Sequence, residues 1–155
     1  MPVMSPKKEQ AVFQQGMRLL AKRSMSIHEL TQKLLTTYHR ERDCDEIVDH
    51  TIKRLQQLHI LSDYRTAESI AYRHANKGDR FIRQKLKAAG VDAICASQVV
   101  AKLGDERVRA KEAALKKRAT LKNESRQQKQ EQLIRFLFAR GFETDICHHV
   151  AEQLT

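Results

Sequence analysis

Apolar residues recur every three or four positions along almost the whole chain, which is the spacing of amphipathic α-helices. Alternation with a period of two residues is absent, so no β-strand is predicted. The pattern predicts an all-α protein of about nine helices. Six lie at about 9–23, 45–58, 63–76, 105–121, 127–140 and 143–154, and the other three begin near Ser26, Asp79 and Asp92.

Eight of the nine predicted helices have a stripe of apolar side chains that we expect to face inward, whereas the seventh is long and heavily charged. The stripe positions in chain order are Val12, Phe13, Met17, Leu20, Leu30, Leu34, Tyr38, Ile47, Val48, Ile52, Leu55, Leu58, Ala67, Ile70, Ala71, Ile82, Leu86, Ala89, Ile94, Val99, Leu103, Leu133, Ile134, Leu137, Phe138, Ile146, Val150 and Leu154. Phe136, Phe138 and Phe142 are likewise expected in the core rather than stacked on nucleic-acid bases.

Polar residues and glycines mark the predicted helix ends. Ser26 and Glu29 have capping-box spacing, in which each side chain binds the other's backbone amide. The other predicted N-caps are Asp79, Asp92 and Asp105. The glycines typical of the residue after a helix are Gly78, Gly90, Gly104 and Gly141.

A short motif recurs about 51 residues apart along the chain. In residues 82–91 and 133–142, an apolar residue is followed four positions later by Leu, four later by Gly, and then by another apolar residue. Leu30 and Leu34 repeat the opening of this motif. The helices therefore group into three predicted three-helix repeats, 1–61, 62–104 and 105–155. Each is too small to bury its own apolar face well, so we expect them to stack into an elongated, curved body.

The net charge of the chain indicates the kind of partner that it binds. The chain has 29 Lys and Arg against 19 Asp and Glu, a net charge of +10. The three predicted repeats carry +3, +4 and +3. This even spread predicts a long contact surface for a polyanionic partner, such as nucleic acid or an acidic protein surface.

Several other classes of protein are not indicated. No apolar run is long enough to cross a bilayer and the first ten residues lack a signal-peptide core, so we expect a cytoplasmic protein with no membrane partner. Cys44, Cys95 and Cys147 are scattered and predict small core residues. The adjacent His148 and His149 diverge on a helix and predict no metal site. No nucleophile–base pattern or phosphate loop is visible, so we expect no enzyme activity, catalytic residue or cofactor.

Four groups of residues, in this order and spacing, resemble a known family over about residues 10–154. They are Leu19 to Arg23 with Ser26, Glu29, Leu30, Lys33 and Leu34; Leu61 to Ala67; Ile82 to Leu86 with Gly90 and Val91; and Arg135 to Leu137, Arg140 to Phe142, Asp145 and Ile146. The family is RecX, the bacterial regulators of the RecA recombinase. Residues 77–81 depart from it, being about two residues shorter than its Gly-Tyr-Gly-Pro turn, and Thr66 replaces a usual aromatic residue.

The resemblance implies three tandem three-helix repeats and a regulatory role without catalysis. It also implies a partner, the RecA filament on single-stranded DNA. Members of the family bind in the filament groove, bridge neighbouring RecA subunits, and suppress ATP hydrolysis, strand exchange and co-protease activity. We further expect a monomer and weak, nonspecific DNA binding.

The candidate contacts with RecA or DNA are basic residues of the second and third predicted repeats. Arg80, Arg83 and Lys87 have the spacing of one helix face, opposite the predicted core. The full set is Arg73, Lys77, Arg80, Arg83, Lys87, Arg107, Arg109, Lys111, Lys116, Lys117, Arg118, Arg135 and Arg140. The alternative is a helix-turn-helix-like protein that reads duplex DNA directly. The acidic starts of the sixth and ninth predicted helices disfavour it.

Overall fold

The computed structural model describes residues 5–155, and the first four residues of the predicted N-terminal repeat lie outside the described residues. Within that range the protein is all-α, with nine helices and no strand, which confirms the predicted fold class. The helices are α1 Pro6–Lys22, α2 Ile27–Thr37, α3 Cys44–Gln57, α4 Asp63–Arg73, α5 Asp79–Ala88, α6 Ala93–Ala101, α7 Glu106–Arg118, α8 Arg126–Ala139 and α9 Thr144–Gln153.

The described chain divides into two compact units. Unit 1 contains the residues up to Ala67 together with Ala89–Val91, and unit 2 contains Glu68–Ala88 and Asp92–Thr155. The predicted repeat boundaries at 61/62 and 104/105 fall in the connections before α4 and before α7. The assignment of three repeats over 1–61, 62–104 and 105–155 stays a prediction.

Unit 1 has an aliphatic core built from α1, α2 and α3. Leu30 and Leu34 of α2 are fully buried. Ile47 and Leu55 of α3 are at most 2% exposed, and Val12 of α1 lies in the same cluster. These positions were all predicted from the helical period. Burial of such side chains stabilises each by about 1.5–3 kcal/mol, so this cluster holds the three helices together.

The start of α2 is tied to distant parts of unit 1. The Ser26 hydroxyl accepts a hydrogen bond from the Glu29 amide at 3.0 Å, which confirms Ser26 as an N-cap. Asp63 accepts from the Ile27 amide at 2.6 Å. The Thr66 hydroxyl donates to the Met25 carbonyl at 2.9 Å. Thr66 is buried, and its short side chain places the hydroxyl beside the Met25 carbonyl.

Unit 2 has its largest core among α7, α8 and α9. Leu133, Leu137, Cys147 and Phe142 are all fully buried, and Ala114 of α7 gives α8 and α9 room for close approach. Elsewhere in unit 2, Ile82 and Leu86 of α5 are also fully buried, as predicted, with Val99 of α6 1% exposed.

Four of the predicted core positions are wrong. Met17, Leu58 and Ile94 are 38%, 51% and 76% exposed, because they lie at the edge of their apolar stripes and no other element covers them. Phe138 is 48% exposed, because Leu137 next to it occupies the inward direction of α8.

The predicted helix ends are confirmed at Asp92 and Asp105, whose carboxylates accept from the backbone amides of Cys95 and Arg107. The N-cap prediction for Asp79 is wrong, because Asp79 is the first residue of α5 and its carboxylate serves another purpose described below. The carbonyl that accepts the first α5 hydrogen bond belongs to Gly78. Gly90, Gly104 and Gly141 have positive φ, as expected after a helix.

Gly78 is required for close backbone approach rather than for ending a helix. Its amide donates to the Arg140 carbonyl at 2.9 Å, and a Cβ at position 78 would collide with the Gly141 carbonyl. The short 77–81 turn therefore packs directly on the end of α8.

Candidate partner-binding surface

The outer face of α5 presents the basic residues that the sequence placed there. Arg83 and Lys87 are exposed, whereas Ile82 and Leu86 of the same helix are fully buried. Arg80 is half-buried. The sequence correctly predicted the orientation of this face.

Arg80 is held in place by Phe138 of α8. Its guanidinium carbon lies 4.7 Å from the centre of the Phe138 ring, and its Nη2 donates to the Phe138 carbonyl at 3.2 Å. A guanidinium over an aromatic face is attracted by the negative face of the ring. Phe138 thus supports a cation at the surface.

A second phenylalanine, Phe81 of α5, gathers three basic side chains. The Nζ atoms of Lys77 and Lys85 lie 5.3 and 5.5 Å from the centre of the Phe81 ring. The His74 ring packs edge-on against the same ring, with 5.4 Å between the two ring centres. Burial lowers the pKa of His74, and the positive charges of Lys85, Arg73 and Lys77 lower it further. The surroundings of Phe81 are therefore strongly electropositive.

A third phenylalanine, Phe136 of α8, supports two further cations. The Arg140 guanidinium carbon is 4.5 Å from its ring centre and the Lys117 ammonium is 5.7 Å away. Unit 2 therefore carries five cations held over three rings, which lose less conformational freedom on binding a partner than free side chains would.

Sequence reasoning missed Lys85 and the supporting role of the phenylalanines. A signal for Lys85 was present, because Phe81 and Lys85 are four residues apart within α5, and Phe136 and Arg140 have the same spacing. Residues at that spacing are neighbours on a helix surface.

Arg109 differs from the other predicted contact residues, because it is only 7% exposed. Its Nη1 donates to the carbonyls of Ala75 and Lys77, at 3.3 and 2.6 Å, and its Nη2 pairs with the Asp79 carboxylate. The Asp79 amide donates to Glu106 at 3.1 Å. Arg109 therefore holds the connection between α4 and α5 against α7, and burial removes it from the residues that can present charge to a partner.

Two more of the predicted residues, Lys116 and Arg140, line a groove of about 890 Å³ in unit 2. Small apolar side chains are among its lining residues. Two larger lining residues, Tyr72 and Val108, are 79% and 56% exposed. The groove also contains Glu68 and Glu112, so both signs of charge line it. Such a mixture of aromatic, apolar and charged groups suits a protein surface better than a DNA backbone.

The other predicted contact residues are distributed over several helices of unit 2. The exposed ones are Arg73 of α4, Arg107, Lys111 and Arg118 of α7, and Arg135 of α8. Arg118 is fixed by a hydrogen bond from its Nη1 to the Leu154 carbonyl at 3.1 Å.

Residues 105–150 match the model of a known family domain, described as RecX, third three-helix domain. The crystal structure of RecX from Lactobacillus salivarius is 20% identical in sequence and has a TM-score of 0.81, covering 97% of this chain and 98% of its own. Residues 105–150 are therefore similar to the third RecX domain, and the structural likeness shows that the fold of this chain is shared with RecX. A crystal structure of regulatory protein RecX is 17% identical with a TM-score of 0.71, covering 93% of this chain and 71% of its own. No curated protein sequence matches the chain.

The segment that matches the RecX domain contains Arg109 and every residue of the Phe136 group. Phe81 and the outer face of α5 lie before it in the chain.

Outside the basic surface, the structure shows the environment of a buried thiol and of the side chains that could bind a metal. Burial raises the pKa of the Cys147 thiol to about 11, so this thiol is uncharged at neutral pH. Among residues 5–155, no three His, Cys, Asp or Glu side chains are grouped as a metal site would require. No helix in the described part of the chain has the length and apolar character needed to cross a membrane.

Proposed function

We propose that this protein belongs to the RecX family and is a non-enzymatic regulator of the RecA recombinase. It binds in the groove of the RecA filament on single-stranded DNA and inhibits filament growth, ATP hydrolysis, strand exchange and co-protease activity. The observation that carries the proposal is the outer face of α5, where exposed Arg83 and Lys87 adjoin cations held over phenylalanine rings.

The charge of this surface supports a long, repeating and acidic partner. A protein with a net charge of +10 repels itself unless a polyanion offsets that charge. A filament repeats its surface from subunit to subunit, so several weak contacts add to give avidity. We expect basic residues to meet acidic RecA surfaces and the DNA phosphates near the filament axis.

The groove beside Tyr72 supports contact with protein as well as with DNA. Tyr72 and Val108 are large side chains left in solvent, and burying them against a partner stabilises the complex. A protein bound across adjacent RecA subunits would favour one arrangement of those subunits. It would thereby oppose the movement coupled to ATP turnover, since a ligand shifts an equilibrium toward the state it binds better.

Direct reading of duplex DNA by a helix-turn-helix-like unit is less well supported. The helix α6 begins after Asp92, whose carboxylate caps its first turn, and α9 begins after Glu143 with Asp145 in its first turn. Carboxylates at these helix starts would repel the phosphates that border the groove of the duplex.

The proposal is tested by RecA-driven ATP hydrolysis on single-stranded DNA, titrated with the protein. We expect inhibition at far fewer molecules than there are RecA subunits, because one bound molecule blocks growth of a whole filament. Inhibition only when the DNA itself is saturated with the protein would contradict the proposal and favour simple competition for DNA.

A further inference from the structure

A separate group of basic residues lies where α7 ends and α8 begins. Arg118 ends α7, Lys122 lies in the connection, and Arg126 and Lys129 belong to the first turns of α8. These four residues, the 118–129 cluster, line a cavity of about 480 Å³ with Ala119, Leu154 and Thr155. No Asp or Glu is among these lining residues, so four of the seven carry positive charge and none carries an acidic side chain.

The local structure fixes the positions of these side chains. Ser125 and Gln128 form a reciprocal capping box that sets the start of α8, with bonds of 3.2 and 3.0 Å. Arg126 and Lys129 are three residues apart and therefore neighbours on that helix. The bond from Arg118 to the Leu154 carbonyl holds the guanidinium at the cavity. The positive end of the α8 dipole adds to the field of the four cations.

We infer that the 118–129 cluster binds the phosphate backbone of nucleic acid directly. Lys122 and Arg126 are exposed, and within the described residues neither has a side-chain hydrogen bond or ion pair, so both are available to phosphates. Single-stranded DNA is the form expected, since its backbone can follow a short basic cavity without duplex geometry. The inference deepens the proposed weak contact with DNA, on which it rests, by naming the residues that make it.

The composition of the cavity favours phosphates over two other anionic partners. Membrane-surface sites combine basic residues with an exposed apolar face that enters the lipid. Protein interfaces have an apolar centre. The largest apolar side chain of the cavity, Leu154, is half-buried, and the other residues beside the cations are Ala119 and Thr155. The Tyr72 groove, by contrast, has those apolar features.

The test measures binding of the full-length protein to a fluorescein-labelled oligothymidylate by anisotropy, without RecA, over a series of NaCl concentrations. The variant combines Lys122→Gln, Arg126→Gln and Lys129→Gln in one protein. It keeps Arg118, whose guanidinium is bound to the Leu154 carbonyl. We expect at least a roughly tenfold loss of affinity. The slope of log affinity against log salt should fall by about 2, since each single-strand phosphate contact contributes about 0.7.

The matched control is Lys33→Gln, Arg40→Gln and Arg42→Gln, three exposed cations of unit 1 that remove the same charge. Far-UV circular dichroism checks that both variants stay helical. Unchanged affinity in the control supports the inference. Equal losses in both variants would overturn it, because general charge rather than a site would then bind the DNA.

Other results would also overturn the site. If the cluster variant bound the oligothymidylate with wild-type affinity, the cluster would not be a DNA site. If that variant had also lost binding to phosphatidylglycerol vesicles, the cluster would be assigned to lipid. A wild-type protein that fails to bind oligothymidylate would remove the proposed DNA contact and this site together. Inhibition of RecA by that same protein would still be measurable, so failure of the site and failure of the RecA proposal can be told apart.

Discussion

Arg109 on α7 pairs with the carboxylate of Asp79 at the start of α5, and the two side chains are only 8% and 21% exposed. Arg109 also binds two carbonyls of the connection that precedes α5. One guanidinium therefore sets the position of the helix whose outer face carries Arg83 and Lys87.

Replacing Arg109 should destabilise the protein. Arg109→Met leaves the Asp79 carboxylate without its ion pair, and we expect a loss of about 3 kcal/mol in the free energy of unfolding. Urea denaturation followed by circular dichroism measures it. Arg107→Met, an exposed arginine of the same helix, is the control and should change stability by less than about 0.5 kcal/mol. Equal effects in the two variants would show that the buried pair is not needed.

Gly78 should not tolerate a side chain. Gly78→Ala forces its methyl group into the Gly141 carbonyl, so we expect a loss of about 3 kcal/mol or more in thermal or urea unfolding. Gly104→Ala is a useful comparison, since its Cβ would meet no atom within 4 Å and only its positive φ is strained. A loss of about 1 kcal/mol is expected there. A stable Gly78→Ala protein would contradict the close contact between the 77–81 turn and α8.

His74 should titrate below its ordinary value of 6.5, because burial and then the charges of Lys85, Arg73 and Lys77 disfavour its protonated form. Its NMR ring signals, assigned with His74→Gln, measure this pKa. Lys85→Gln should raise the pKa, whereas Arg107→Gln should leave it unchanged.

The same shift has a consequence for stability. Because the unfolded chain binds a proton at His74 more readily than the folded one, His74 should make folding less favourable as the pH falls below about 6.5. The difference in stability between wild type and His74→Gln, followed from pH 7.5 to 5.5, reports it. A His74 pKa above 6.5 would contradict the electropositive surroundings of Phe81.

The outer face of α5 can be tested without disturbing the packing of α8. Arg80 is bound to Phe138, so the cleaner variant is Arg83→Glu with Lys87→Glu, both fully surface positions. We expect about tenfold weaker inhibition of RecA ATP hydrolysis, equivalent to about 1.4 kcal/mol. Lys33→Glu with Arg40→Glu changes the net charge equally in unit 1 and should inhibit like wild type. If the α5 variant also inhibits like wild type, this face does not contact the filament.

Much of the fold was predictable from local information. Leu30, Leu34, Ile82 and Leu86 follow the helical period and are buried, and Asp92 caps its helix as its position indicated. These outcomes depend on a residue's neighbours within one or two turns, which the sequence contains directly.

The parts that could not be predicted depend on contacts between distant segments. Arg107 and Arg109 look alike in the sequence, yet Arg109 is buried because the α4–α5 connection lies over it. In the sequence, Gly78 resembles a helix-ending glycine, and only the fold shows that the carbonyl of Gly141 lies beside it. The contact between Arg80 and Phe138, 58 residues apart, likewise depends on how distant segments pack.

Sedimentation of labelled protein with RecA filaments, assembled on single-stranded DNA with a non-hydrolysable ATP analogue, tests the proposed function most directly. At physiological salt we expect the protein to pellet with the filaments and to stay in the supernatant with the same DNA lacking RecA. Equal partitioning in the two samples would contradict filament binding.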